Sequence, residues 1–396
     1  MVDCKFEGGG GPEDVGLLAL KGVVRQAFGL PCPRTLNVWW NFGSCLMLLL
    51  VSQLVTGLFL AVYYVPECDK AMSSVYYVMR DIRGGWVVRL LHASGANVMF
   101  ACIYFHIGRG LYYGSYLNKG VWWSGMMLLV LSMGVAFMGY VLPWGSMSYW
   151  GAVVITSMVT ILPYGSRLKE WIWGGYVISE VTLKRFFIVH FVLPFVLLSV
   201  TLAHVMILHK SGGSSNPLGL QWEHSAIPFH PYYTSKDVVG FIVVYGGMLM
   251  QIMWAPDFFM EGLNYLVIDP MKTPLSIKPE WYFLFLYCIL RSIPHKSGGI
   301  IAMFGALLIL AMVPYLHVGK YRSMAYYPLC QIIFWVWVGN LLVMTKSGSL
   351  FPTAVNETVG LGCTVVYFAF FLLLPVCQLG HEKAVSFKIA DVKLMG

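Results

Sequence analysis

Long apolar stretches constrain the fold of this chain more than any other feature of its sequence. A helix of about 20 apolar residues crosses the hydrocarbon core of a bilayer. Eight candidate stretches lie at residues 41–64, 87–112, 122–142, 186–208, 238–256, 282–291 continuing weakly into 299–316, 328–344 and 358–378. Since Pro294 interrupts the sixth, its membrane span is expected at 299–316. The sequence therefore predicts an all-α integral membrane protein with eight transmembrane helices.

Composition agrees with a membrane protein. Of 396 residues, 58% are hydrophobic and only 11% are charged, and the mean hydropathy is +0.71. These values exclude an ordinary soluble domain, and no nucleic-acid partner is expected. The 26 Lys and Arg residues divide equally between the two sides of an eight-span topology, so charge does not orient the chain. The nine cysteines are scattered without metal-ligand spacing and are interpreted as apolar fillers.

The first 40 residues are expected to form an N-terminal extension with a surface helix. They contain no continuous apolar segment of the signal-peptide type, and the acidic residues Glu7, Glu13 and Asp14 are unusual in a transit peptide. Both observations favour synthesis in the compartment where the protein works. Between Glu13 and Phe28 apolar residues recur at helical spacing, which predicts a short helix on the membrane surface.

Four histidines lie inside two of the apolar stretches at one repeated spacing. His92 and His106 stand fourteen residues apart, and so do His190 and His204. Fourteen residues fall only about 40° short of four helical turns, so each pair lies on one helix face. The two imidazoles are then about 21 Å apart along the helix, in a hydrocarbon core about 30 Å thick. If the two helices face each other, His92 meets His190 near one surface and His106 meets His204 near the other.

Two facing pairs of imidazoles inside a membrane indicate two stacked haems. A single intramembrane histidine is more often a proton-relay group or a polar contact between helices, but two pairs at one spacing favour metal ligation. Iron with two axial histidines has no open position, so each haem would carry electrons rather than bind substrate. Since the chain has no Cys-x-x-Cys-His motif, the haems are expected to be non-covalently bound haem b.

The same spacing recurs in glycine. Gly43 and Gly57 stand fourteen residues apart in the first stretch, and Gly125 and Gly139 do so in the third. Helix contact is the usual role of a membrane glycine, but the shared period also suits the close approach of a flat macrocycle to the backbone. We therefore expect the first four stretches to form a bundle around two haems.

Two arginines complete the expected haem sites. Arg89 and Arg109 each stand three residues from a histidine and are candidate partners for the negatively charged haem propionates. The chain is accordingly divided into an N-terminal extension at 1–40, a di-haem four-helix bundle at 41–209, a polar loop at 210–237 and a C-terminal half at 238–396.

The C-terminal half carries one segment with candidate catalytic residues. It is Lys278-Pro279-Glu280-Trp281-Tyr282, and it is followed by Tyr287. The carboxylate could cap the helix that begins at Trp281. It could instead accept a proton from a substrate, since apolar surroundings would raise its pKa toward that task. The residues alone leave both alternatives open.

Several longer motifs resemble those of one family of membrane proteins. They are Gly139-Tyr140-Val141-Leu142-Pro143-Trp144-Gly145, Tyr149-Trp150-Gly151-Ala152, Ile227-Pro228-Phe229-His230-Pro231-Tyr232-Tyr233, Pro279-Glu280-Trp281-Tyr282 and the two histidine pairs. In this order they resemble cytochrome b, the membrane subunit of quinol:cytochrome c oxidoreductase, respiratory complex III, from about Leu30 to about Leu379. The photosynthetic relative splits the chain after four spans and lengthens the second histidine interval by one, so the resemblance is to the mitochondrial type.

The resemblance implies a catalytic subunit that oxidises quinol at one membrane face and reduces quinone at the other, in a Q cycle that contributes to proton translocation. It places the lower-potential haem on His92 and His190 and the higher-potential haem on His106 and His204. Ubiquinol and ubiquinone would be the substrates, in the mitochondrial inner membrane. The implied partners are a Rieske-type iron-sulfur protein, a c-type cytochrome, other subunits of the complex and membrane lipid, in a homodimeric complex.

The resemblance also implies two quinone pockets. The oxidation pocket would consist of Glu280 as proton acceptor together with Tyr287, Tyr140 and Gly151. The reduction pocket would consist of His209, Asp237, Lys236 and Ser44. A histidine and a carboxylate there could hydrogen-bond the two quinone carbonyls and supply two protons. Without the resemblance, His209 would be interpreted as an ordinary interfacial residue.

Two other functions compete with this interpretation. A proton-coupled transporter with a histidine relay would bind no haem. A di-haem, quinone-reactive membrane anchor of another dehydrogenase would keep both haems but have no pocket that divides the electrons of quinol. In such an anchor, replacing Glu280 would leave quinol:cytochrome c reductase activity intact.

Overall fold

The computed structural model describes residues 30–211, 213–219 and 225–395, with side chains as far as residue 386. The expected surface helix between Glu13 and Phe28 lies outside the described residues. Within them the helices are α1 (Phe42–Tyr63), α2 (Ala71–Arg80), α3 (Gly85–Tyr112), α4 (Lys119–Val141), α5 (Ser146–Ser157), α6 (Gly165–Trp173), α7 (Glu180–Lys210), α8 (Phe229–Trp254), α9 (Leu284–Ser292), α10 (Lys296–Leu316), α11 (Pro328–Ser349) and α12 (Ala354–Met395).

In the part of the chain that the structure describes, eight helices are long and apolar enough to cross a membrane. They are α1, α3, α4, α7, α8, α10, α11 and α12. The predicted all-α fold with eight transmembrane helices is therefore confirmed. The sixth span is α10, and the apolar residues before Pro294 form the short helix α9, because proline cannot supply the backbone hydrogen bond that would continue it.

The fourth span extends beyond its apolar stretch because polar residues stabilise its first turn. Helix α7 begins at Glu180, whereas the apolar stretch begins at residue 186. Ser179 and Thr182 form a capping box, and Lys184 binds Glu180 at 2.6 Å. Hydropathy detects only the residues suited to lipid, so it underestimates the length of a helix that continues into water.

The membrane helices pack as two connected groups. Helix α1 packs along α3, helix α4 packs along α7, and α8 covers both α1 and α3. Helices α9 to α12 surround an aromatic core that includes Phe334, Trp337, Tyr367 and Phe371. The groups are joined where α10 contacts α4, since the indole of Trp122 donates to the Leu310 carbonyl at 3.2 Å.

Two short strands bring the start of α8 beside the start of α1. Strand β1 (Pro31–Pro33) pairs antiparallel with β2 (Ala226–Pro228). The Tyr233 hydroxyl donates to the Pro33 carbonyl, and Lys236 Nζ donates to the Leu36 carbonyl at 3.0 Å. These contacts fix the first turns of α8 against the segment that leads into α1.

Candidate functional site

The four histidines form two facing pairs. The ring centres of the first histidine pair, His92 and His190, are 6.3 Å apart, and those of the second histidine pair, His106 and His204, are 6.5 Å apart. A metal ion bonded at about 2 Å to one nitrogen of each ring, with each ring centre about 1.1 Å behind that nitrogen, requires a separation of about 6.2 Å. Both pairs therefore have the spacing for a metal ion held between two imidazoles.

Helix packing explains how these rings come to face each other. The principal neighbour of α3 is α1, and that of α7 is α4. The histidine-bearing helices thus meet through their imidazoles, rather than along a shared helix interface as the stripe of histidines suggested. Each histidine helix packs along a helix that carries two of the repeated glycines.

Nδ1 of every imidazole has a polar contact, and in His92, His190 and His204 its partner can accept a hydrogen bond, which leaves Nε2 for a metal. In His106, Nδ1 accepts from a guanidinium, which only donates. Nδ1 contacts the Thr56 hydroxyl in His92 (2.9 Å), the Val135 carbonyl in His190 (2.9 Å), the Ser124 hydroxyl in His204 (2.8 Å) and the Arg109 guanidinium in His106 (3.3 Å). A carbonyl only accepts hydrogen bonds, so Nδ1 of His190 carries the proton and its Nε2 is unprotonated. Such contacts fix the ring orientation that metal binding needs.

The repeated glycines lie directly against these imidazoles. An added Cβ would approach Cε1 of one ring at 3.0 Å for Gly57 and His92, 3.3 Å for Gly43 and His106, 2.5 Å for Gly139 and His190, and 3.4 Å for Gly125 and His204. Non-bonded atoms rarely approach closer than about 3 Å, so Gly139 has no room for a side chain. The shared period therefore has a steric cause, since each glycine admits one imidazole beside its helix.

Two arginines lie beside the histidine pairs without a carboxylate partner. In the described ranges neither Arg89 nor Arg109 forms an ion pair within 4.0 Å. The guanidinium of Arg109 lies 5.0 Å from the ring centre of Trp40, and its buried Nε has no hydrogen-bond partner there. Arg89 contacts the sulfur of Met260 at 2.9 Å. Two enclosed cations that form no ion pair in the described ranges suit an anionic ligand such as a haem propionate.

A cavity of about 310 Å³ joins the first histidine pair to the Pro-Glu-Trp-Tyr segment. Arg89, Tyr140 and Glu280 line it together with the two imidazoles, and most of its remaining wall is apolar. A candidate metal-ligand pair and a titratable carboxyl group therefore border the same space. This is the arrangement that coupled removal of electrons and protons from one molecule requires.

The Glu280 carboxyl is not used as a helix cap. Its residue precedes the turn Trp281–Phe283, but its side chain makes no capping hydrogen bond. Burial raises the pKa of Glu280 to about 7, and a hydrogen bond from Tyr140 to the charged form opposes this rise. The group can exchange a proton near neutral pH, which favours the proton-acceptor alternative over the capping one.

Aromatic contacts hold this segment against α3. The ring of Tyr282 stacks on Phe100 with 4.1 Å between centres, and the Trp281 indole donates to Asn97 Oδ1 at 2.9 Å. The Tyr104 hydroxyl donates to the Tyr282 carbonyl at 2.5 Å. The helix that carries the first two histidines therefore also positions the carboxyl group.

Tyr287 and Gly151 lie outside the cavity lining. The Tyr287 hydroxyl donates to the Ile277 carbonyl at 2.8 Å, so it holds the chain three residues before Glu280. Gly151 in α5 faces open space, because an added Cβ would meet nothing within 4 Å. Of the four predicted pocket residues, the structure brings Glu280 and Tyr140 together in the cavity wall and leaves the other two outside it.

The polar residues of the cavity that were missed from the sequence include Glu261 and Asn264. Glu261 binds Lys278 at 2.8 Å, and Asn264 Oδ1 accepts from the amide and the hydroxyl of Ser148, both at 2.9 Å. Both lie in the irregular segment between α8 and α9, where no periodicity indicates a side chain's direction. Only the opposite charge of Lys278 could have indicated Glu261.

The second candidate pocket lies where α1 and α8 begin. The Ser44 hydroxyl donates to Asp237 Oδ1 at 2.6 Å, and Asn41 Nδ2 donates to the same oxygen at 3.0 Å. Lys236 donates to a backbone carbonyl instead, and His209 is exposed near the end of α7. The structure thus joins Ser44 to Asp237 and adds Asn41, whose only signal in the sequence is its place directly before α1.

The fold and the histidine geometry define a multi-pass helical membrane protein with two facing pairs of histidines. A family model described as Cytochrome b/b6/petB matches residues 27–212, and one described as Cytochrome b(C-terminal)/b6/petD matches residues 267–368. A solved structure described as "Hyperthermophilic respiratory Complex III" shares 30% sequence identity, with a TM-score of 0.86, over 92% of this chain and 97% of that chain. The chain belongs to the cytochrome b family, whose members bind haem b.

Proposed function

We propose that this chain oxidises quinol at one membrane face and reduces quinone at the other, as the catalytic membrane subunit of a quinol:cytochrome c reductase working by a Q cycle. The observation that carries the proposal is the shared cavity, which Glu280 borders together with the first histidine pair. A bound quinol there would lie beside both a proton acceptor and the route for its electron. Similarity to a chain of a respiratory complex III supports the same setting.

Two haems b would be held by the two histidine pairs, one haem for each pair. When bound, each haem would supply a reversible one-electron carrier, held by one imidazole from each of the two histidine helices. Arg89 and Arg109 would neutralise the propionates, because they have no carboxylate partner of their own in the described ranges. Of the four repeated glycines, Gly139 leaves the room that its imidazole needs most clearly, since an added Cβ would lie 2.5 Å from Cε1 of His190.

In the oxidation pocket the chain's own residues accept and hold a proton. The ionised form of Glu280 takes the proton of a quinol hydroxyl, and Tyr140 stabilises that form by its hydrogen bond. Removing the proton with the electron avoids leaving a charged species in an apolar cavity. Tyr287 fixes the segment through its contact with Ile277, and Gly151 leaves space beside α5.

In the reduction pocket Asp237 and His209 would hydrogen-bond the two quinone carbonyls and deliver two protons. Ser44 and Asn41 orient the Asp237 carboxyl group, and Lys236 adds a positive charge next to it. Carrying an electron between the two pockets against the membrane potential stores about 2.3 kcal/mol per charge for each 100 mV. The protons taken up and released at opposite faces then add to the gradient.

We place the protein in the mitochondrial inner membrane with ubiquinol as substrate, because the chain is continuous and both histidine intervals are fourteen. Its proposed partners are a Rieske-type iron-sulfur protein and a c-type cytochrome in a homodimeric complex. Residues 41–209 would form the di-haem unit, residues 210–237 the connecting polar loop, and residues 238–396 the half that carries Glu280.

The test replaces Glu280 with glutamine in the purified complex. We expect quinol:cytochrome c reductase activity to fall by at least about tenfold, while the absorption of reduced haem b is unchanged. Glu180→Gln is the matched control, since it removes an exposed acid whose one ion pair in the described ranges is with Lys184, and it should retain full activity. Full activity in Glu280→Gln would favour the membrane-anchor alternative, and absence of haem in the wild-type protein would favour the transporter.

A further inference from the structure

A tyrosine in the cavity wall connects the interior with an exposed carboxylate. Tyr265 lines the same cavity as Glu280, and its hydroxyl donates to Oδ1 of Asp257 at 2.6 Å. Asp257 is exposed just beyond the end of α8, where it borders an outer cavity of about 350 Å³. Tyr265 itself is 36% exposed. A single side chain therefore contacts the inner cavity and an acid on the surface.

Charged groups lie close to this tyrosine. Arg89 interacts electrostatically with both Tyr265 and Asp257, so its positive charge favours release of a proton from this pair to water. Glu261, which also lines the cavity, is already bound by Lys278 at 2.8 Å. Asp257 forms no ion pair within 4.0 Å over the ranges that the structure describes, and it is exposed to water.

The tyrosine remains neutral during such a transfer. Burial, together with the hydrogen bond to Asp257, raises the pKa of Tyr265 to about 12. A neutral phenol both accepts and donates a hydrogen bond, so it can receive one proton while it gives up another.

We propose that Tyr265 and Asp257 form a relay through which the proton accepted at Glu280 leaves the cavity for water. This inference rests on the proposed role of Glu280. A proton from the Glu280 carboxyl group, carried by water in the cavity, binds the phenol oxygen while the phenol's own proton moves along its hydrogen bond to Oδ1 of Asp257. Asp257 then releases that proton to water, so one proton enters the relay, one leaves it and no electron moves.

The same contacts could serve only to hold the loop between α8 and α9. The Tyr76 hydroxyl donates to the Tyr265 carbonyl at 3.1 Å, and the Tyr265 hydroxyl lies 3.2 Å from the sulfur of Met260. The two roles require different chemistry of Asp257. A structural contact needs only a hydrogen-bond acceptor, which an amide also provides, whereas a relay needs a group that binds and loses a proton. Asp257→Asn therefore separates the two roles.

The experiment measures proton release by the purified complex in vesicles during oxidation of a short-tailed ubiquinol. A pH-indicator dye is placed on the side that Asp257 faces. We expect D257N and Y265F to slow proton release by about tenfold, with unchanged haem absorption. Asp257→Glu should recover most of the rate, and added formate should restore part of it in D257N. Tyr76→Phe is the matched control, since it removes a hydrogen bond from the same loop without removing a relay group.

Proton release at the wild-type rate in D257N and Y265F overturns the relay. Slowing of equal size in Y76F, without recovery in D257E or by formate, also overturns it and assigns these contacts to loop stability. Failure of the wild-type complex to oxidise quinol contradicts the proposed function instead, so the two failures are distinguishable.

Discussion

Replacing Gly139 with alanine is expected to remove haem from the first histidine pair and to leave the second pair occupied. The added Cβ would lie 2.5 Å from Cε1 of His190, 3.0 Å from its Nδ1 and 3.1 Å from its Nε2. The ring is not free to turn away, because Nδ1 donates to the Val135 carbonyl at 2.9 Å. The neighbouring helices α4 and α7 are packed along each other, so the backbone cannot easily separate to make room.

The size of the effect follows from this contact. Inserting one carbon atom into a well-packed site typically costs about 1–3 kcal/mol. If the added Cβ destabilises only the haem-bound state by this free energy, haem affinity weakens about 5- to 150-fold, because about 1.4 kcal/mol corresponds to a factor of ten. Gly125→Ala is the matched control on the same helix, since its Cβ would lie 3.4 Å from Cε1 of His204, which is ordinary contact.

A redox titration of each purified variant, with haem absorption as the readout, distinguishes loss of one haem from retention of both. We expect one b-type component in Gly139→Ala and two in Gly125→Ala, at equal yields of folded protein. Two full components in Gly139→Ala would refute the steric reasoning. Loss of a component in Gly125→Ala alone would show that the distance from Cβ to the imidazole does not govern ligation.

Three further outcomes are expected. Because burial raises the pKa of Glu280 to about 7, its proton-accepting form is lost as pH falls through neutrality. The rate of quinol oxidation should therefore rise with pH around 7. A flat pH profile would contradict the assignment of Glu280 as the proton acceptor. His106→Leu should abolish the haem of the second histidine pair alone, whereas equal loss of both redox components would argue against the pairing. Asp237→Asn should slow reoxidation of haem by quinone about tenfold and leave reduction by quinol intact, which stopped-flow absorption measures; unchanged reoxidation would exclude its role.

The features that could be predicted from the sequence are those that a helix repeats. A span has a fixed length and a helix face has a fixed period, so hydropathy located the eight helices, and spacing located both histidine pairs. The period also identified the glycines, but not their contacts. Which atom approaches Gly139 depends on the rotamer of His190 and on the packing of α4 against α7, and neither is encoded locally.

The irregular segment between α8 and α9 shows where sequence reasoning ends. Glu280 was recognisable by its motif, although the choice between cap and proton acceptor needed the burial of its carboxyl group and the position of Tyr140. Asn264 and Tyr265 carry no such signal. Their place in the cavity wall results from contacts between distant parts of the chain, such as that of Asn264 with Ser148.

The measurement that tests the central claim most directly is a redox titration of the purified wild-type protein, combined with an iron assay. Two imidazole pairs with ring centres 6.3 Å and 6.5 Å apart predict two haem irons per chain and two b-type components of different potential. A single component, or no iron, would contradict the assignment of these histidines as the ligands of two haems stacked across the membrane.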